Sequence, residues 1–69
     1  MKYTNHKNGI TVVMEQSGEK GRVVTVLDGM GNISRREFDT VWAGFKAYQD
    51  AANEAMKNEK TFDDVMMAL

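Results

Sequence analysis

The chain has 69 residues, 42% of them apolar and 28% charged, with a formal net charge of −1. That length holds one domain, and at this size only about 60% of the unfolded chain's surface can be buried, so stability is marginal. With no cysteine and one histidine no Cys/His zinc site can form within one chain. The near-neutral charge argues against a general nucleic-acid binder. No apolar run reaches the 18 residues of a membrane span, and the opening lacks the apolar core of a secretory signal.

Charge is unevenly spread. Lys2, Lys7, Lys20, Arg22, Arg35 and Arg36 outweigh Glu15, Glu19 and Asp28 up to residue 36, whereas Lys46, Lys57 and Lys60 meet seven acids beyond it. Such a dipolar chain can offer one charged face to a partner. The lack of cysteine fits a reducing cytoplasm.

Asn8-Gly9, between the strand-like segments Lys2–Lys7 and Ile10–Gln16, predicts a β-hairpin. A two-residue turn with positive φ at both central residues would set Lys7 opposite Ile10, Asn5 opposite Val12 and Tyr3 opposite Met14, with Lys2 facing Glu15. One face then gathers Tyr3, Ile10, Val12 and Met14. After the polar loop Ser17–Gly21, the β-rich run Arg22–Leu27 adds a third strand. Met30–Ile33 could supply a short fourth strand beyond the break at Asp28–Asn32. The expected fold is α+β: a three- or four-stranded antiparallel meander over residues 1–33, a long amphipathic helix over 34–58 and a short terminal helix over 61–69.

The long helix is placed by Ser34-Arg35-Arg36-Glu37, which reads as a capping box, with Ile33 and Phe38 as a hydrophobic staple. Whether Ile33–Phe38 is instead a fourth strand stays open. Phe38, Val41, Trp42, Phe45, Tyr48, Ala52, Ala55 and Met56 follow at spacings of three and four, and the aromatic members read as the core stripe. Thr61, with Asp63 and Asp64 in the first turn, opens the terminal helix. Its apolar side is Phe62, Val65, Met66 and Leu69.

No reaction centre can be assembled. Gly29-x-Gly31 lacks the parallel strand that would complete a dinucleotide site, His6 has no nucleophile placed beside it, and Asp63-Asp64 is explained by capping. No cofactor or metal is expected. Lys20, Arg22, Arg35 and Arg36 could gather at a helix N-terminus as an anion or nucleic-acid contact, although that half has no free aromatic for base stacking. A helix over residues 35–57 would reach about 34 Å, past strands of roughly 17–23 Å. Its overhang (Ala52, Ala55, Met56) together with Phe62, Met66 and Leu69 is the expected self-association surface of a homodimer.

Lys2-Tyr3, Lys7-Asn8-Gly9, the Val-rich second strand and Glu37-Phe38 together resemble very short phage- and prophage-encoded accessory proteins. The resemblance covers about the first 45 residues. It implies a non-enzymatic protein that binds a host or phage protein, as an inhibitor or modulator, in the host cytoplasm. It transfers no functional residue.

Overall fold

The computed structural model describes all 69 residues. Four strands come first: β1 (Lys2–Asn5), β2 (Ile10–Ser17), β3 (Gly21–Leu27) and β4 (Ile33–Phe38). Two helices follow, α1 (Val41–Ala55) and α2 (Phe62–Met66). The strands form one antiparallel meander in the order β1-β2-β3-β4. Both helices lie on one face of it, so the α+β arrangement read from the sequence holds with four strands.

Pairing is continuous across the sheet, and the rows define two faces. Tyr3, Val12, Val26 and Ser34 form one row of the helix-covered face, and Met14, Val24 and Arg36 form another. Lys2, Val13, Thr25 and Arg35 form a row on the opposite face, flanked by Thr4, Thr11, Leu27 and Ile33.

The first hairpin departs from the expected register. Asn5 pairs with Ile10 and Lys2 with Val13, so the loop has four residues and Lys2 does not face Glu15. Gly9 alone has positive φ, at 75°. Asn8 instead spends its side chain on the fold: its Oδ1 accepts from the Ile10 amide at 3.2 Å. Because the shift is two residues, it conserves faces, and Tyr3, Ile10, Val12 and Met14 share the core side as expected.

The larger correction concerns residues 33–38. They are not the start of the long helix but the strand β4, and α1 begins seven residues later, at Val41, with Thr40 as its N-cap. The Thr40 hydroxyl accepts from the Ala43 amide at 3.1 Å. The cause is the turn before β4. One oxygen of the Asp28 carboxylate accepts from the Met30 and Asn32 amides, the other from the Asn32 side chain. Gly31 takes φ 91°. That closed turn returns the chain antiparallel to β3 and sets Ile33 opposite Leu27. A strand ladder of six pairs outweighs an N-cap, which contributes only about 0.5–2 kcal/mol. Ser34-x-x-Glu37 is equally a strand pattern, since Ser34, Arg36 and Phe38 fall on one face and Ile33, Arg35 and Glu37 on the other.

The core also differs from the expected aromatic stripe. α1 meets the sheet through Gly44, Ala47, Tyr48, Ala51, Ala52 and Ala55, all buried. They pack on Ile10, Val12, Val24 and Val26, with Val65 of α2 closing the far side. Small residues let the helix approach closely: a Cβ built on Gly44 would stand 2.4 Å from the Arg22 Cβ. Phe38 is only partly buried, at the edge of the core.

α2 starts as expected. Thr61 and Asp64 form a reciprocal capping box, and the Thr61 amide and hydroxyl hold the Asp64 carboxyl below the usual carboxylate range. The molecule exposes 4490 Å², against about 4400 Å² expected of a folded monomer of its 7.8 kDa mass. α1, at 15 residues, reaches about 22 Å, no further than the eight-residue β2, so the helical overhang expected from the sequence does not exist.

Candidate protein-docking groove

The fifteen residues of α1 are 5% exposed or less at Ala51, Ala52 and Ala55. Tyr48 is the one large side chain that shares that face, and the others are displaced to the flank of the helix. Phe45, Gln49, Asn53 and Met56 look toward β1, and Trp42 continues the same stripe one turn nearer the start of α1, outside the groove lining. Trp42 is 71% exposed and Met56 53%. The Trp42 and Phe45 rings lie 6.5 Å apart, tilted by 35°, within the range of favourable aromatic pairs.

Between this flank and β1 runs an open groove of about 260 Å³. Met1, Tyr3, Phe45, Tyr48, Ala52 and Met56 line it, and Lys2, Gln49 and Asn53 supply its polar rim. Burial pushes the Tyr48 phenol pKa upward. The volume falls below the roughly 300–1,000 Å³ of small-molecule pockets and suits the insertion of side chains.

The groove's far end is fixed by a contact between elements 50 residues apart in sequence. α1 ends at Ala55 without a glycine, and no backbone amide reaches the Ala55 carbonyl. Two side chains of the first hairpin, one at the end of β1 and one in the loop, serve it instead: Asn5 Nδ2 donates to it at 2.8 Å and Asn8 Nδ2 at 3.0 Å. Asn5 Nδ2 also donates to Asn58 Oδ1 at 2.9 Å, and Asn8 Nδ2 to the Lys57 carbonyl at 3.2 Å. The β1–β2 hairpin is thus the C-terminal cap of α1 and fixes how far that helix stands from β1.

Of the expected self-association residues, Ala52 and Ala55 are consumed by the core. Phe62 and Leu69 pack against that core on the α2 side and Met66 is partly buried. Only Met56 remains open, and it belongs to the groove. The six residues therefore form no single exposed surface.

The four basic residues also separate. Lys20 sits in the β2–β3 turn. Arg22 lies beneath α1, its Nη1 donating to the Gly21 carbonyl at 2.7 Å. Arg36 lies on the helix-covered face, stacked 5.3 Å over the Phe38 ring and donating to the Leu69 backbone oxygen at 2.7 Å. Arg35 points to the opposite face, in the row with Thr25. Adjacent arginines in a strand cannot share a face, and the helix N-terminus expected beside them lies instead at Thr40. His6 is exposed in the hairpin loop.

Apolar periodicity places Trp42 and Phe45 in the core and does not reveal the groove. The available signal was the stripe Gly44, Ala47, Ala51, Ala55, whose spacing marks the sheet-facing side and assigns the large residues to a flank. Comparison with protein-family models, with curated proteins and with solved structures finds no match to this chain. No helix is long and apolar enough to cross a membrane.

Proposed function

We propose that this chain is a non-enzymatic protein-binding module whose docking surface is the groove between β1 and α1. The observation that carries this reading is Trp42. It stands 71% exposed on Phe45, beside an open apolar groove. Tryptophan is enriched among the residues that dominate binding energy at interfaces, where it anchors in an apolar setting ringed by polar groups; Lys2, Gln49 and Asn53 supply such a rim. The likeness of the opening hairpin to short phage accessory proteins supports the same reading, with a host protein as the partner to be modulated.

The test is stoichiometric capture of one protein from lysate of the source or host cells by the full chain. Capture is expected to be lost in Trp42→Ser and in Met56→Lys, both with an unchanged melting temperature because neither side chain is buried. Capture that survives both substitutions overturns the assignment of the groove. Affinity for nucleic acid that falls steeply with salt, with no protein captured, overturns the module reading itself.

A further inference from the structure

Resting on the groove as a protein-docking site, we propose that its occupant is an extended segment of another protein, which adds to the free edge of β1 as a fifth strand. The hydrogen-bond parity of the sheet decides which groups are free. The Met14 amide donates to the Met1 carbonyl at 2.8 Å, and the Met1 nitrogen donates back to the Met14 carbonyl at 3.0 Å. In an antiparallel ladder doubly bonded pairs alternate with unbonded ones. Tyr3–Val12 is therefore a bonded pair, whereas Lys2–Val13 and Thr4–Thr11 are not. The close Thr4–Thr11 hydroxyl contact, 3.0 Å, fits an unbonded pair. Lys2 and Thr4 thus turn two amides and two carbonyls outward, a template for main-chain pairing.

The sheet has a second edge, and it is guarded. The same parity, set by the Asp28 amide donating to the Asn32 carbonyl at 3.1 Å, turns the backbone groups of Ile33, Arg35 and Glu37 outward on β4. Arg35 and Glu37 flank that edge on the open face, and Arg36, tied to Leu69, flanks it on the helix side. Charged side chains so placed discourage strand addition. β1 carries one charge in four residues and has an apolar groove directly beneath it.

Register and charge together define the segment. An incoming residue between those bonded to Lys2 and Thr4 would lie beside Tyr3, with its side chain in the groove against Phe45 and Met56. A large apolar residue fits there. Its two neighbours point to the open face. The one beside Lys2, which makes no ion pair within the chain, is best acidic, since opposite charges on adjacent strands stabilise pairing. The one beside Thr4 continues the row Thr4, Thr11, Leu27, Ile33 and is best β-branched. The recognised pattern is acid, large apolar, β-branched, in either chain direction.

The experiment selects phage-displayed random heptapeptides on the intact 69-residue chain. Selected peptides are then measured against a chemically synthesised chain N-methylated at the Thr4 amide. That amide bonds nothing within the protein, so the methylated chain is expected to fold with an unchanged spectrum while losing tenfold or more in affinity. Lys2→Glu is expected to weaken binding of the acidic peptides by a similar factor. Peptides with apolar residues at spacings of three and four, indifferent to N-methylation, would overturn strand addition yet leave the groove as a protein-docking site. Failure to select any peptide, or a dimer of the chain whose β1 amides become protected from exchange, would overturn the proposed occupant. Failure to select any peptide while capture of one protein from lysate still depends on Trp42 and Met56 separates this failure from that of the module reading.

Discussion

Removing Asn5 and Asn8 together should destabilise the protein by more than the two single losses combined. Both side chains donate to the Ala55 carbonyl, which no backbone amide reaches. Asn5→Ala deletes two donated bonds and the acceptor used by the Lys7 amide, at a net value of about 1 kcal/mol each, reduced where water replaces the partner. A loss of about 1.5–3 kcal/mol is expected, with the Ala55 carbonyl still held by Asn8. Asn8→Ala acts on more exposed groups and should cost about 0.5–1.5 kcal/mol. In the double variant the carbonyl of a residue 0% exposed keeps no partner, and an orphaned buried acceptor costs a further roughly 1–3 kcal/mol. Against a total of about 3–10 kcal/mol for a chain of this size, the double variant approaches global unfolding. Urea denaturation at low temperature, completing the four-member cycle, measures the coupling. Additivity within about 0.5 kcal/mol would show that water caps Ala55 as well as the asparagines do, and would refute the hairpin as the device that seats α1.

Three further outcomes follow from the packing. Gly44→Ala should destabilise by about 1–3 kcal/mol through overpacking although alanine is the better helix former by about 1 kcal/mol, because the new Cβ meets the Arg22 Cβ at 2.4 Å; a raised melting temperature would show that α1 does not approach β3 so closely. Thr40→Ala should cost about 0.5–2 kcal/mol as the loss of an N-cap while Ser34→Ala stays within about 0.5 kcal/mol, and the reverse order in thermal melts would return Ser34 to a helix start. Acid should weaken the fold through Asp64, held low by the Thr61 amide and hydroxyl, Glu54, held low by Lys57, and Asp28, held low by the Asn32 side chain. Their folded pKa values lie below the unfolded ones, so their stabilisation is complete above the ordinary carboxylate range and is lost as pH falls through the lowered values. A urea midpoint that does not decline on acidification, or that declines equally in Asp64→Asn, would refute that origin.

Much of the fold is legible in the residues because its signals are local and agree. Tyr3, Ile10, Val12 and Met14 declare one face of a hairpin by alternation alone, and the two-residue register error leaves that face intact. Thr61 and Asp64 announce α2 because a capping box needs only four consecutive residues and no distant partner. Ser34–Glu37 offers the same local pattern and is a strand. The difference is what lies across from it. β3 presents a free edge to the segment, and the Asp28–Asn32 turn delivers the segment to it. No tertiary partner contests Thr61. A cap is weak enough for one ladder to override, so the reading of a capping box depends on whether an unpaired strand stands within a turn's reach upstream.

The site is less legible because it belongs to neither of the elements that form it. Its floor and walls come from β1 and from α1, whose closest link, Asn5 to the Ala55 carbonyl, spans 50 residues, and no spacing rule connects them. Apolar periodicity alone assigned every large residue of α1 to the core. The stronger constraint is size. Gly44, Ala47, Ala51 and Ala55 recur at three and four residues, and a helix seated so closely on a sheet finds room at its margin for the Tyr48 ring alone. Trp42 and Phe45 are pushed aside by that fit. They can flank α1 on the β4 side, where α2 and Val65 already fill the space, or on the other flank, where Trp42 stays exposed and Phe45 is only partly covered. The terminal helix thereby decides which flank stays open, and the outward amides of Lys2 and Thr4 lie along that same flank.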